Sequence, residues 1–194
     1  MVEDPQEPRA VAGAGLGGGG PAGRPLSLRI ARAEDAQDYR PCAGVVLVND
    51  ADQVWVGERN DYPGAWQMPQ GGIDAGEDPR KAALRELHEE TGVSNVSFLA
   101  ESQDWLKYEL PDDLRSRAWK GRWRGQVQKW FMFRHLGPDD EIDILGVEEP
   151  EFDRWQWVEF AEVTELIVDF KRPVYELLVE TFRPVLEEAA RRSS

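Results

Sequence analysis

The 23 residues from Gly71 to Val93, GGIDAGEDPRKAALRELHEETGV, leave the backbone few choices. Asp78 followed by Pro79 reads as an N-cap and a first helical residue, because proline has no N–H to leave unsatisfied there. Gly92 suits the left-handed position just beyond a helix end. The stretch is therefore a glycine-rich loop, a short helix and a glycine stop. Leu84 and Leu87, with Ala82 and Ala83 beside them, are expected to form its apolar face. Glu86, Glu89 and Glu90 stand at i+3 and i+4 spacing and converge on another face.

Like charges stacked on one helical face repel. A Glu-rich helix face is ordinarily just a solvated one. A hard divalent cation offers another resolution, since Mg²⁺ takes a few carboxylates together with substrate phosphate oxygens. Spacing of the acids alone leaves both readings open.

The complete pattern says more. Gly71, Glu77, Arg85, Glu86, Leu87, Glu89, Glu90, Gly92 and Val93 together resemble the signature of the Nudix hydrolase family without departure. The resemblance implies an α/β fold, a Nudix-type α/β/α sandwich with a mixed sheet, the motif helix and a C-terminal helix. It implies hydrolysis of a nucleoside diphosphate linked to a further group, with Mg²⁺ as cofactor and Mn²⁺ as a substitute. By that resemblance Glu86, Glu89 and Glu90 are metal ligands and catalytic residues, while Gly71, Glu77, Arg85 and Gly92 are structural, Arg85 and Glu77 forming an ion pair.

Composition is compatible with that reading. The 194 residues are 41% hydrophobic, enough for one domain with a real core. The single cysteine, Cys42, rules out an intramolecular disulfide framework and fits a reducing compartment, with the cytoplasm as the expected location. No apolar run approaches the ~18 residues that span a bilayer, so no membrane partner is expected. A formal charge of −14 disfavours indiscriminate adhesion to nucleic acid, and DNA is not an expected partner. Against this background Arg115 to Arg134 holds seven basic residues and no acid. That strip either holds phosphates or balances neighbouring acids in a pair of strands.

Along the chain, residues 1–38 read as a disordered Gly/Pro/Ala-rich tail, because AVAGAGLGGGGPAGRP cannot bury enough surface to offset its ordering entropy. The domain is expected over residues 39–190. AGVVLVND and QVWVGERN read as two strands around a polar turn, and SNVSFLAES, DWLKYELP and QKWFMFRHL as further strands. WQWVE alternates, with Trp155 and Trp157 on one face. A final helix starts near Pro173 and buries Val174, Leu177, Leu178, Phe182, Val185 and Leu186. Pro184 is expected to kink or interrupt it.

Several segments outside the signature, YRPCAGVVLV, WQMPQGGID, DWLKYELP, GQVQKWFMF, EPEFDRWQWV and VDFKRPVY, are similar to the RNA pyrophosphohydrolase branch of the family, also called (di)nucleoside polyphosphate hydrolases. This resemblance implies that Glu151 completes the metal site, that Arg40 and Phe170 flank a base, and that Arg59 and Lys171 meet phosphate. Glu89 is the first choice for general base. The implied substrate is a 5′-triphosphate or diphosphate RNA end, converted to 5′-monophosphate. Diadenosine tetraphosphate, split to ATP and AMP, is the alternative, and a binding module that lost the reaction is a third reading. Such a module has little need of all its liganding carboxylates, and all are present.

Overall fold

The computed structural model describes residues 28–116 and 118–193. Two long strands form its centre, β2 (Tyr39–Val48) and β8 (Gly125–His135), paired in parallel from Tyr39↔Gly125 to Val48↔Arg134. The other pairings among the described residues are antiparallel. β1 (Arg29–Ile30) pairs with β7 (Trp105–Glu109), and β6 (Val96–Glu101) and β7 both pair with β8. On the far side β2 carries β5 (Gln70–Gly72), and β3 (Val54–Arg59) carries β4 (Trp66–Gln67) and β9 (Phe152–Val158).

Alternation along these strands sorts the core into two layers. Ala43, Val45 and Leu47 of β2, with Phe131 and Phe133 of β8, face helix α1 (Pro79–Thr91) and its Ala82, Ala83 and Leu87. Val46, Val48, Trp130 and Met132 point the other way. They meet Val174, Leu178 and Phe182 of a C-terminal helix, which follows α2 (Asp112–Arg115) and α3 (Val163–Leu166) as α4 (Arg172–Ser193). Leu87, Leu178 and Phe182 have no exposed surface, so each stabilises the fold by about 1.5–3 kcal/mol. The result is a mixed sheet with helices on both faces, an α/β sandwich.

Three expectations need correction. Residues 28–38 belong to the fold, not to a tail: β1 adds to β7, and Ile30, Ala33 and Ala36 pack around Tyr39 and Val127. A two-residue strand carries no periodicity for the sequence to display. Residues 1–27 lie outside the described residues. Leu84 is 37% exposed, since the buried stripe of α1 runs through Ala83, Leu87 and Glu90, and Leu84 lies round the helix from it. Finally, of the two outcomes expected at Pro184 the interruption does not occur, since α4 runs through it. Pro184 and Glu180, whose carbonyl loses its helical donor, both sit on the exposed side, so that carbonyl is left on the face of the helix open to solvent.

Candidate active site

The loop and α1 are locked together by short-range chemistry. Asp78 accepts the N–H groups of Arg80 and Lys81 at 3.1 Å each, and Gly92, at φ 74°, donates to His88 O at 2.8 Å. Arg85 then ties helix to loop. Its Nε and Nη2 donate to the two oxygens of Glu77 at 3.0 Å each, and Nη2 also reaches Gly72 O at 2.8 Å. Two parallel bonds from one guanidinium fix orientation as well as distance. The pairing holds the Glu77 carboxyl below its usual range.

The three helix glutamates do not share one environment. Glu86 and Glu90 lie on the side of α1 that faces the sheet, the same side as Ala83 and Leu87, rather than on a separate acidic face. Glu89 points outward, with 56% of its side chain exposed against 12% for Glu86. Arg85 Nη1 takes one oxygen of Glu86 at 2.7 Å and one of Glu89 at 3.0 Å. The other oxygen of Glu86 nests against Gly71, where even a methyl group would overlap it. Burial pushes the Glu86 carboxyl up to about 7, against the pull of Arg85.

Glu90 is sealed. One oxygen accepts the Gln70 N–H at 3.2 Å, and among the described residues Oε1 has no hydrogen-bond partner. Burial, then the charges of Glu151 and Glu86, raise its carboxyl well above the usual range. Glu151 reaches this spot through sheet pairing. β9 runs beside β3 with Arg59 opposite Phe152, Asn60 N–H donates to Glu151 O at 2.9 Å, and Arg59 Nη1 lies 3.6 Å from the Glu151 carboxylate. Among the described residues no three acidic, imidazole or thiol groups close into a finished ligand shell. The set nevertheless fits a divalent cation. A buried carboxylate oxygen lacks a donor, its neighbours Glu86 and Glu151 repel it, and Arg85 leaves a second oxygen on Glu86 and on Glu89.

Beside these acids opens a cavity of about 580 Å³. Arg59, Phe170 and Lys171 line it. Arg59 is gripped by Asp61 through bonds of 2.8 and 3.0 Å, and Lys171 Nζ donates to Gln67 Oε1 at 3.2 Å. Phe170 packs on Tyr108 with ring centroids 5.8 Å apart. Arg40 is not part of the lining. Its guanidinium lies 5.7 Å from the ring of Trp119, which does line the cavity, and a methyl on Gly72 would come within 2.5 Å of its Nη2. Arg40 thus stands on the motif side of the cavity wall and Phe170 inside it.

Sequence reasoning missed Asp61, Gln67, Tyr108 and Trp119. Asp61 follows Arg59 by two residues, a local signal that could have been read. Gln67 is 2% exposed, and among the described residues its Nε2 has no partner. Trp119 is buried at φ 46°, a backbone conformation that bulky residues rarely adopt. Nothing in their sequence neighbourhoods marks those positions.

The model of the NUDIX domain matches residues 38–178. A protein named RNA pyrophosphohydrolase from Cereibacter sphaeroides is 54% identical over 151 residues, covering 76% of this chain and 93% of that protein. One of the same name from Rhodospirillum rubrum is 55% identical over 141 residues, covering 73% and 85%. The solved Ap4A hydrolase of C. elegans, in a binary complex, shares the fold at a TM-score of 0.55 and 21% identity, covering 77% of this chain and 98% of its own. The E. coli dihydroneopterin triphosphate pyrophosphohydrolase does so at 0.57 and 22%, covering 73% and 97%. With the motif, the sandwich and these likenesses in agreement, the chain belongs to the Nudix hydrolase family.

Proposed function

We propose that this chain is a divalent-metal-dependent pyrophosphohydrolase that converts 5′-triphosphate or diphosphate RNA ends to 5′-monophosphate. The observation that carries the reading is Glu90, a wholly buried carboxylate with a partnerless oxygen, facing Glu86 and Glu151 next to a cavity that carries Arg59 and Lys171. More than half identity to proteins named RNA pyrophosphohydrolase, over most of the chain, supports the substrate class.

Glu86, Glu89, Glu90 and Glu151 would hold Mg²⁺, or Mn²⁺ in its place, which when bound neutralises phosphate charge and acidifies an attacking water. Glu89, the helix glutamate that solvent reaches, takes the proton released by that water. Arg59 and Lys171 draw the polyphosphate toward the acids, and Phe170 offers a ring face to a base. Arg85 keeps Glu86 and Glu89 oriented without touching substrate.

The test is product analysis with Mg²⁺ present, on 5′-triphosphate RNA and separately on diadenosine tetraphosphate, with Glu89→Gln alongside. Monophosphate RNA formed faster than ATP and AMP, and lost in the variant, supports the reading. The reverse ranking replaces it with asymmetric dinucleotide hydrolysis, and no product from either substrate removes both.

A further inference from the structure

The basic strip divides in two. Lys129 donates to the carbonyls of Ser102 and Gln103, and Arg134 binds Asn49 O and Asp52, so both are absorbed into the fold. Arg115, Arg122 and Arg124 instead surround an open cleft of about 530 Å³, completed by Asp38, Gly121 and Trp123. The Arg122 guanidinium lies 4.6 Å from the ring of Trp123, and among the described residues no carboxylate pairs with it. Arg115 meets Asp112 only at 3.8 Å, and that carboxylate is 95% exposed, so the pair neutralises little. Arg124 is balanced by Glu109 at 3.0 Å. Three guanidiniums around one lining carboxylate stand out on a chain of net charge −14.

This cleft adjoins the reaction cavity through a single segment. Leu110, Leu114 and Trp119 wall the cavity, whereas Arg115, Gly121 and Arg122 wall the cleft. The turn between them is built from three successive left-handed residues, Trp119, Lys120 and Gly121, at φ 46°, 57° and 72°, and closed by Arg122 N–H donating to Trp119 O at 3.1 Å. Two of the three are not glycine, so the conformation carries a cost, and such cost concentrates at ligand sites. Arg122 follows Trp119 by three positions, which keeps their Cα atoms within about 11 Å. A strand leaving the cavity past Trp119 therefore meets the cleft at once.

We propose that the cleft of Arg115, Arg122, Trp123 and Arg124 binds the phosphates, and one base, of the RNA that continues 3′ of the nucleotides held in the cavity. This rests on RNA as the substrate. Guanidiniums interleaved with an aromatic face match a single strand, which needs phosphate partners and a stacking platform together. A compact dinucleotide held at the cavity has no further phosphates to place there. The cleft thus selects for length, and for RNA over small polyphosphates.

The experiment compares 5′-triphosphate RNAs of two and eight nucleotides on the full chain, reading kcat/KM for each. Binding of a fluorescein-labelled 5′-monophosphate octamer is followed by anisotropy across a salt series. The octamer is expected to exceed the dimer about tenfold, with the ratio falling toward one in Arg122→Glu and largely kept in Arg122→Lys. The variant's log affinity against log salt should flatten by about 0.7 for each phosphate that the cleft no longer neutralises. Equal kcat/KM for both lengths in the wild type, an unchanged ratio in Arg122→Glu, or displacement of the octamer by polyglutamate as readily as by unlabelled RNA would overturn the proposal. Absence of product from either RNA would instead overturn the reaction, and anisotropy alone would then decide the cleft.

Discussion

Arg85 and Glu77 are joined by two hydrogen bonds of 3.0 Å, one from Nε and one from Nη2, across the gap between the motif loop and the motif helix. The Glu77 carboxyl is held below its usual 4.5, first by the Arg85 hydrogen bonds. The folded protein therefore binds this proton less readily than the unfolded chain. The stability from the pair is complete above the usual carboxylate range and drains away as pH falls through the lowered value. Glu77→Gln is expected to cost about 2 kcal/mol at pH 7 and to lose that deficit as the pH is taken below the lowered value. Urea unfolding of both proteins across this range checks it, and a deficit independent of pH would contradict it.

The same substitution at two glycines should have opposite consequences. At Gly44 a methyl would lie 2.5 Å from the Trp130 ring, which is buried and cannot yield, so Gly44→Ala destabilises by about 2 kcal/mol. At Gly71 the atoms nearest to the methyl are the far end of Glu86, which can swing away. Gly71→Ala should therefore fold normally yet raise the Mg²⁺ concentration for half-maximal activity roughly tenfold. Thermal melts and Mg²⁺ titrations of both variants separate the two effects.

Glu90→Gln removes a buried charge that Glu151 and Glu86 repel. Activity should fall at least about 100-fold, while the metal-free protein gains a few degrees in Tm. Melting in EDTA, set beside the rate with Mg²⁺, tests whether the two move in opposite directions. A Tm that falls with the rate would mean that Glu90 serves the fold.

Phe170 lies inside the cavity and Arg40 behind its wall. Phe170→Ala should raise KM for RNA about tenfold and leave kcat nearly unchanged, the loss of a stacking face felt equally in ground and transition states. Arg40, whose charge acts on Glu86, should lower kcat about tenfold when replaced by Ala. Steady-state kinetics distinguish these patterns, and the same KM effect in both variants would place Arg40 at the base after all.

By itself the sequence determined the loop, the capped helix and its glycine stop, because Asp78, Pro79 and Gly92 act on backbone groups within a few residues of themselves. It also pointed to a sheet covered on both faces, since AGVVLV of β2 and WFMF of β8 are unbroken apolar runs and the stripe of α4 is periodic in the chain. Local chemistry is legible in local order. What only tertiary structure decided was the direction in which each side chain faces. The sheet sets the rotation of α1, and so turns Glu90 inward and Leu84 out. The pairing of β3 with β9 brings Glu151 to Arg59. The turn at Trp119 puts that ring into the cavity wall and Arg122 outside it. Such contacts join residues far apart in the chain, where only the packing of whole elements brings one to the other.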